Sequence, residues 1–120
     1  MEDKYYTPTI EEFHVGFEYE LLHEDNWVKV KCGTEDYFKL VKKISQNTIR
    51  VKYLDREDIE SFGFEEHGYL FIKDDVHYLE WDEDYEFTIW SSIRGNTQRL
   101  FQGTIKNKSE LKKVLQMVGV

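Results

Sequence analysis

A single cysteine in 120 residues has no partner for an internal disulfide, and Cys32 reads as a packed thiol rather than a reactive one. Proline is nearly absent. Pro8 stands alone near the start, and the seven glycines stand singly. That scarcity excludes a linker rich in glycine or proline and a glycine-rich phosphate loop. No apolar run approaches the roughly 20 residues of a membrane-spanning helix, and no membrane role is expected. The opening Met1-Glu2-Asp3-Lys4 is charged and lacks the apolar segment of a secretion signal, so the expected location is the cytoplasm.

Bases are scarce too. Sixteen Lys and Arg face 24 Asp and Glu, for a formal net charge of −8. The imbalance is confined to one part of the chain: residues 1–91 carry 23 acids and 10 bases, residues 92–120 one acid and six bases. The first part repels a phosphate backbone. Only the second, through Arg94, Arg99, Lys106, Lys108, Lys112 and Lys113, could attract one. Six bases around a hairpin and a helix more often form a solvated face, so nucleic-acid binding is the alternative reading.

What the chain has in quantity is apolar and aromatic side chains, 40% and 16% of the residues. That is ample for the core of one domain over residues 1–120, with 1–10 a loosely ordered tail carrying Tyr5-Tyr6. Four apolar-aromatic segments, Tyr69–Lys73, Val76–Trp81, Tyr85–Ser91 and Gln98–Ile105, are separated by short breaks of turn residues. Connections that short permit only hairpins, which predicts a four-stranded antiparallel meander. Upstream, alternation from Phe13 to Leu21 predicts a strand that pairs with Trp27–Cys32. Helical spacing of Phe38, Val41 and Ile44 predicts a helix from Glu35 to about Gln46, with Thr34 as N-cap and Glu35 and Asp36 in the first turn. A strand follows at Ile49–Leu54, then a short helix, Arg56–Ser61, capped by Asp55. A last helix, Glu110–Val118, is capped by Ser109 and carries the stripe Leu111, Val114, Leu115 and Val118. The sum is α+β: a mostly antiparallel, curved sheet of about seven strands with a C-terminal helix packed on it.

Chemistry is harder to find. Asp55, Glu57 and Asp58 crowd one turn and Asp82, Glu83, Asp84 and Glu86 another, but neither follows the alternate-ligand spacing of a calcium loop. His14 and Glu18, with His77 from the meander, are the residues on which a metal-assisted hydrolase would have to be built. No histidine pair has zinc-site spacing and no second cysteine exists, so no metal and no cofactor is expected. Ser61, Ser91, Ser92 and Cys32 lack any nucleophile motif, and a non-enzymatic protein is the expectation.

Binding has more support, because tryptophans and tyrosines exceed what a small core needs. Trp81, Trp90, Tyr78 and Tyr85 are the candidate partner-binding residues, on an acidic chain whose partner is expected to be a protein. If Tyr85, Phe87 and Ile89 face the core, Trp90 lies on the other sheet face. A second layer is expected to cover it there, with the terminal helix the first candidate. An acidic surface imitating nucleic acid is a special case of this idea, and self-assembly through the Trp81–Trp90 hairpin is a separate possibility.

Three phrases carry a resemblance: Tyr5–Glu20, Ile49–Glu60 and Gly103–Leu111. They resemble small phage- and prophage-encoded proteins of gut bacteria, a family to which no activity is assigned. The resemblance implies a phage-infected or prophage-bearing bacterial cell as the setting, and it carries no site residues.

Overall fold

The computed structural model describes residues 4–34 and 36–120, so the expected first-turn Glu35 and the first three tail residues lie outside the described residues. The chain forms two compact units, Met1–Tyr53 and Leu54–Val120. The α+β class, the antiparallel pairing and the C-terminal helix are as expected. The nine strands among the described residues, however, divide between a four-stranded and a five-stranded sheet instead of forming one curved sheet of about seven. Twisted sheets of this size split or curl rather than extend.

In the first unit the strands are β1 (Tyr5–Tyr6), β2 (Glu18–His23), β3 (Asn26–Lys31) and β4 (Ile49–Lys52), in the order β1-β4-β2-β3. Helix α1 (Tyr37–Ser45) connects β3 to β4. The tail reading fails from Lys4 onward. Tyr5 and Tyr6 pair with Lys52 and Val51, Pro8 is fully buried, and Lys4 accepts a backbone hydrogen bond from Tyr53. The long strand expected from Phe13 begins only at Glu18, because Gly16 adopts φ +92° and Phe17 N–H turns back to the His14 carbonyl at 2.9 Å. The alternation is still meaningful. Phe17 and Tyr19 are buried, and Phe13 packs edge-on against both at 5.0 and 5.2 Å.

Helix α1 starts at Asp36, whose carboxylate accepts Phe38 N–H at 2.9 Å, and not at Thr34. Its buried residue is Leu40, with Ile44 packed alongside, while Phe38 is 82% and Val41 41% exposed. Of the apolar row Phe38, Val41 and Ile44, only Ile44 packs on the core, and Leu40 and Ile44 make the inward row. Both rows have helical spacing, and only packing on the sheet selects between them.

One cluster ties all four strands of this unit together. Arg50 of β4 pairs with Glu20 of β2 through Nη2 and Nε at 2.8 and 3.1 Å. Its guanidinium lies 3.7 Å from the ring centroid of Tyr5 in β1 and 4.2 Å from that of Trp27 in β3. A planar cation held between two rings and a carboxylate only 13% exposed contributes more than a surface ion pair. Arg50→Ala is expected to lower stability by about 2 kcal/mol, since Glu20 then loses its partner in a largely buried place. Urea unfolding followed by circular dichroism measures this, and Arg50→Lys should recover less than half, lacking the planar fork.

The second unit opens with α2 (Arg56–Glu60) and continues through β5 (Glu65–His67), β6 (Leu70–Lys73), β7 (His77–Trp81), β8 (Glu86–Ile93) and β9 (Asn96–Thr104) to α3 (Lys108–Val118). The sheet order β5-β6-β7-β8-β9 is the expected meander with one added short strand, β5. Asp55 caps α2 as read from the sequence, accepting Asp58 N–H at 2.9 Å, while Asp58 accepts Asp55 N–H at 3.3 Å. The first carboxylate cluster is thus a capping box. Helix α3 is capped by Asn107 rather than Ser109: the buried Asn107 side chain accepts Glu110 N–H at 2.9 Å. Gly119 ends α3 at φ +78°, a left-handed position that glycine adopts without steric penalty.

Hairpins in both units use tight turns with positive φ at both central residues: Glu24-Asp25, Asp74-Asp75 and Arg94-Gly95. Such turns match strand twist but favour Asn-Gly, and a non-glycine residue held left-handed costs roughly 1–2 kcal/mol. Replacing Glu24-Asp25 by Asn-Gly should therefore stabilise the protein by about 1 kcal/mol, read as a raised urea midpoint at unchanged slope.

Candidate binding face

The five-stranded sheet has two unlike faces. Phe71, Leu79, Phe87 and Ile89 form one core with Ile59 of α2 and with Leu111 and Leu115 of α3. Strand alternation sends the intervening residues to the other face. There Ile72, Tyr78, Trp90 and Arg99 make one cross-strand row through β6 to β9, and Leu70, Glu80, Thr88 and Gln102 make the next. A register shift between Ile89 and Trp90 interrupts the β8–β9 ladder beside the first row. Bulges of this kind re-aim side chains on a sheet.

On this outer face the rings of Tyr69, Tyr78 and Trp90 line an open hollow of about 290 Å³ together with Leu70. Glu80 is the one charged residue in the lining among the described residues, and Ser92 and Thr97 add hydroxyls. Tyr78 and Trp90 are directly paired across β7 and β8. Tyr69 sits at the tip of the β5–β6 hairpin beside Gly68 (φ +64°) and is 76% exposed. The sequence did not single out Tyr69. Its signal was the Gly68-Tyr69 dipeptide, which is a hairpin turn once Glu65–His67 is recognised as a strand.

Of the four aromatics expected at a contact surface, two meet here, Tyr78 and Trp90. Trp81 belongs to the opposite side, stacked on Phe87 with centroids 5.8 Å apart and planes 10° from parallel. Tyr85 lies near Trp81, 6.2 Å between centroids, and both pack against the helix-covered core. Tyr85 also holds φ +62°, an uncommon backbone state for a bulky side chain. The expectation that α3 covers Trp90 is corrected: Leu111 and Leu115 seal the Phe87–Ile89 face. The parity of β8 dictates this outcome, because a helix needing an apolar floor packs on the side that Phe87 and Ile89 provide.

The other candidate constellations are not drawn together. Arg94 sits at the β8–β9 turn and Arg99 on the outer face, whereas Lys108, Lys112 and Lys113 belong to α3 on the opposite side of the sheet. Lys106, which follows β9, donates its backbone N–H to Glu110 at 2.8 Å, and Lys108 lies 5.9 Å over the Phe62 ring. His14, its Nδ1 3.1 Å from the Glu12 carbonyl, and Glu18 belong to the first unit, and His77 to the second. His77 Nδ1 is buried with no hydrogen-bond partner. Among the described residues no three His, Cys, Asp or Glu side chains are placed to hold one metal ion. Nor is any described helix long and apolar enough to cross a membrane.

No family model, curated protein or solved structure matches the chain. The fold itself defines an α+β chain of two antiparallel sheets, the second with helices on one face and an aromatic hollow on the other.

Proposed function

We propose that this is a non-enzymatic interaction protein that binds a protein partner through the outer face of the five-stranded sheet, with Trp90 and Tyr78 as its anchors. The setting is the cytoplasm of a phage-infected or prophage-bearing bacterium, in line with the resemblance of its sequence phrases. One observation supports the reading above the others: a directly paired tyrosine and tryptophan stand on the face that the helices of their unit leave bare. A sheet face exposed to water alone is served by polar residues, and large rings there are the kind of residue that dominates protein contacts. The net charge of −8 adds a preference for basic partners and speeds their encounter.

A photo-crosslinking residue placed at Ser92, inside the lining of the hollow, tests the reading in bacterial cells that express the full chain. A discrete crosslinked protein that disappears with Trp90→Ala is the expected result. Crosslinks that are absent, or indifferent to Trp90→Ala, would count against it.

A further inference from the structure

We infer that the group seated in the hollow is the guanidinium of an arginine side chain presented by the partner, an inference that rests on the interaction reading above. The chemistry of the lining carries it. Three aromatic residues, Tyr69, Tyr78 and Trp90, line an open hollow in which, among the described residues, the one charged lining group is the Glu80 carboxylate. Ring faces carry negative potential and attract cations, most strongly for tryptophan. A carboxylate beside them selects the same sign and accepts two hydrogen bonds from a planar fork.

The register fixes the spacing. Tyr78 faces Trp90 and Glu80 faces Thr88, so Glu80 is the diagonal neighbour of Trp90. Such neighbours stand roughly 7–8 Å apart at the backbone, room for a flat cation to touch the ring and the carboxylate together. At about 290 Å³ the hollow is at the lower limit of sites that enclose a drug-sized ligand, which spans about 300–1,000 Å³. It suits one side-chain head, not a cofactor. The chain builds the same association elsewhere for its own use: Arg50 lies between Tyr5 and Trp27 with Glu20 as counter-charge. On the outer face two tyrosines, a tryptophan and a glutamate offer the same kinds of acceptor, ring faces and a carboxylate, with no arginine in the lining among the described residues. Arg99, opposite Trp90 on β9, lies outside the lining and opposes a cationic guest, so removing it should strengthen binding.

The test uses the full chain labelled with ¹⁵N and two seven-residue Gly/Ser peptides, one with a central arginine and one with citrulline. Citrulline keeps the shape of the side chain and removes its charge. The arginine peptide should shift the Trp90 indole N–H and the Tyr78 and Glu80 amides, and the citrulline peptide should bind at least about fivefold more weakly. Glu80→Gln should weaken the arginine peptide by a similar factor. Trp90→Phe, which keeps a ring of weaker attraction, should weaken the arginine peptide less than Trp90→Ala does, and Arg99→Ala should tighten it. Equal binding of the two peptides, or shifts centred on Asp74-Asp75 instead of Trp90, overturns the inference. If the crosslinked partner depends on Trp90 while the arginine peptide does not bind, the cation falls and the contact face stands. If neither binds, both fall.

Discussion

Leu111→Ala is expected to lower the stability of the Leu54–Val120 unit by about 2–5 kcal/mol, the range for emptying a fully buried aliphatic site. Leu111 has no exposed surface and Leu115 almost none, and the same core holds Leu79, Phe87 and Ile89. An eleven-residue helix is marginal alone in water, so α3 depends on this contact as much as the sheet does. Small domains are stable by only about 5–15 kcal/mol, and one such cavity removes a large share of that. Urea unfolding followed by tryptophan fluorescence measures the loss, with Trp81 and Trp90 reporting this unit and Trp27 the other. Gln116→Ala, at an exposed position of the same helix, should change stability by less than about 0.5 kcal/mol. A Leu111→Ala variant as stable as the parent would mean that α3 is not part of the core.

Trp90→Ala should act in the opposite sense, leaving the fold and removing the contact. Central tryptophans in interfaces typically contribute 2 kcal/mol or more, so partner affinity is expected to fall by at least about 30-fold. Because Trp90 is only half-buried and its ring lies away from the helix-covered core, the cost in stability should stay near 1 kcal/mol. Trp81→Ala is the internal contrast. Its ring is stacked on Phe87 and packs against the core, so it should destabilise the unit by about 2–4 kcal/mol. The partner crosslinked from Ser92 provides the affinity readout, and circular dichroism the check on folding. Two tryptophans nine residues apart thus separate stability from recognition by the side of the sheet each one takes.

The meander was legible because its signals are local. Asp74-Asp75 and Arg94-Gly95 are turns whatever surrounds them, and the alternation Phe87, Ile89 and Leu79 names its buried side. The capping of α2 by Asp55 and the termination of α3 by Gly119 are local too. Contacts between distant strands were not legible. Nothing near Tyr5-Tyr6 announces a strand, since pairing with Val51 and Lys52 supplies its order. The Arg50 cluster joins residues 5, 20, 27 and 50, and no spacing rule connects them. Which row of α1 turns inward was not legible for the same reason, as Leu40 and Phe38 are equally apolar and only the sheet beneath chooses. On the five-stranded sheet, sequence alternation placed Trp90 opposite Phe87 and Ile89 correctly. It could not say that α3 would take the other side, nor that Tyr69 would complete the hollow.

The side of the sheet that α3 seals decides whether Trp90 has a surface to offer, and proton–proton contacts in solution report it directly. A nuclear Overhauser spectrum of the full chain, with methyl-labelled leucines, should show the Trp90 indole near the Tyr78 ring. It should show no contact from that indole to the Leu111 or Leu115 methyls, which instead should meet the Phe87 ring. Cross-peaks between the Trp90 indole and the Leu111 methyls would contradict this, because the ring would then be part of the core and have no surface to offer.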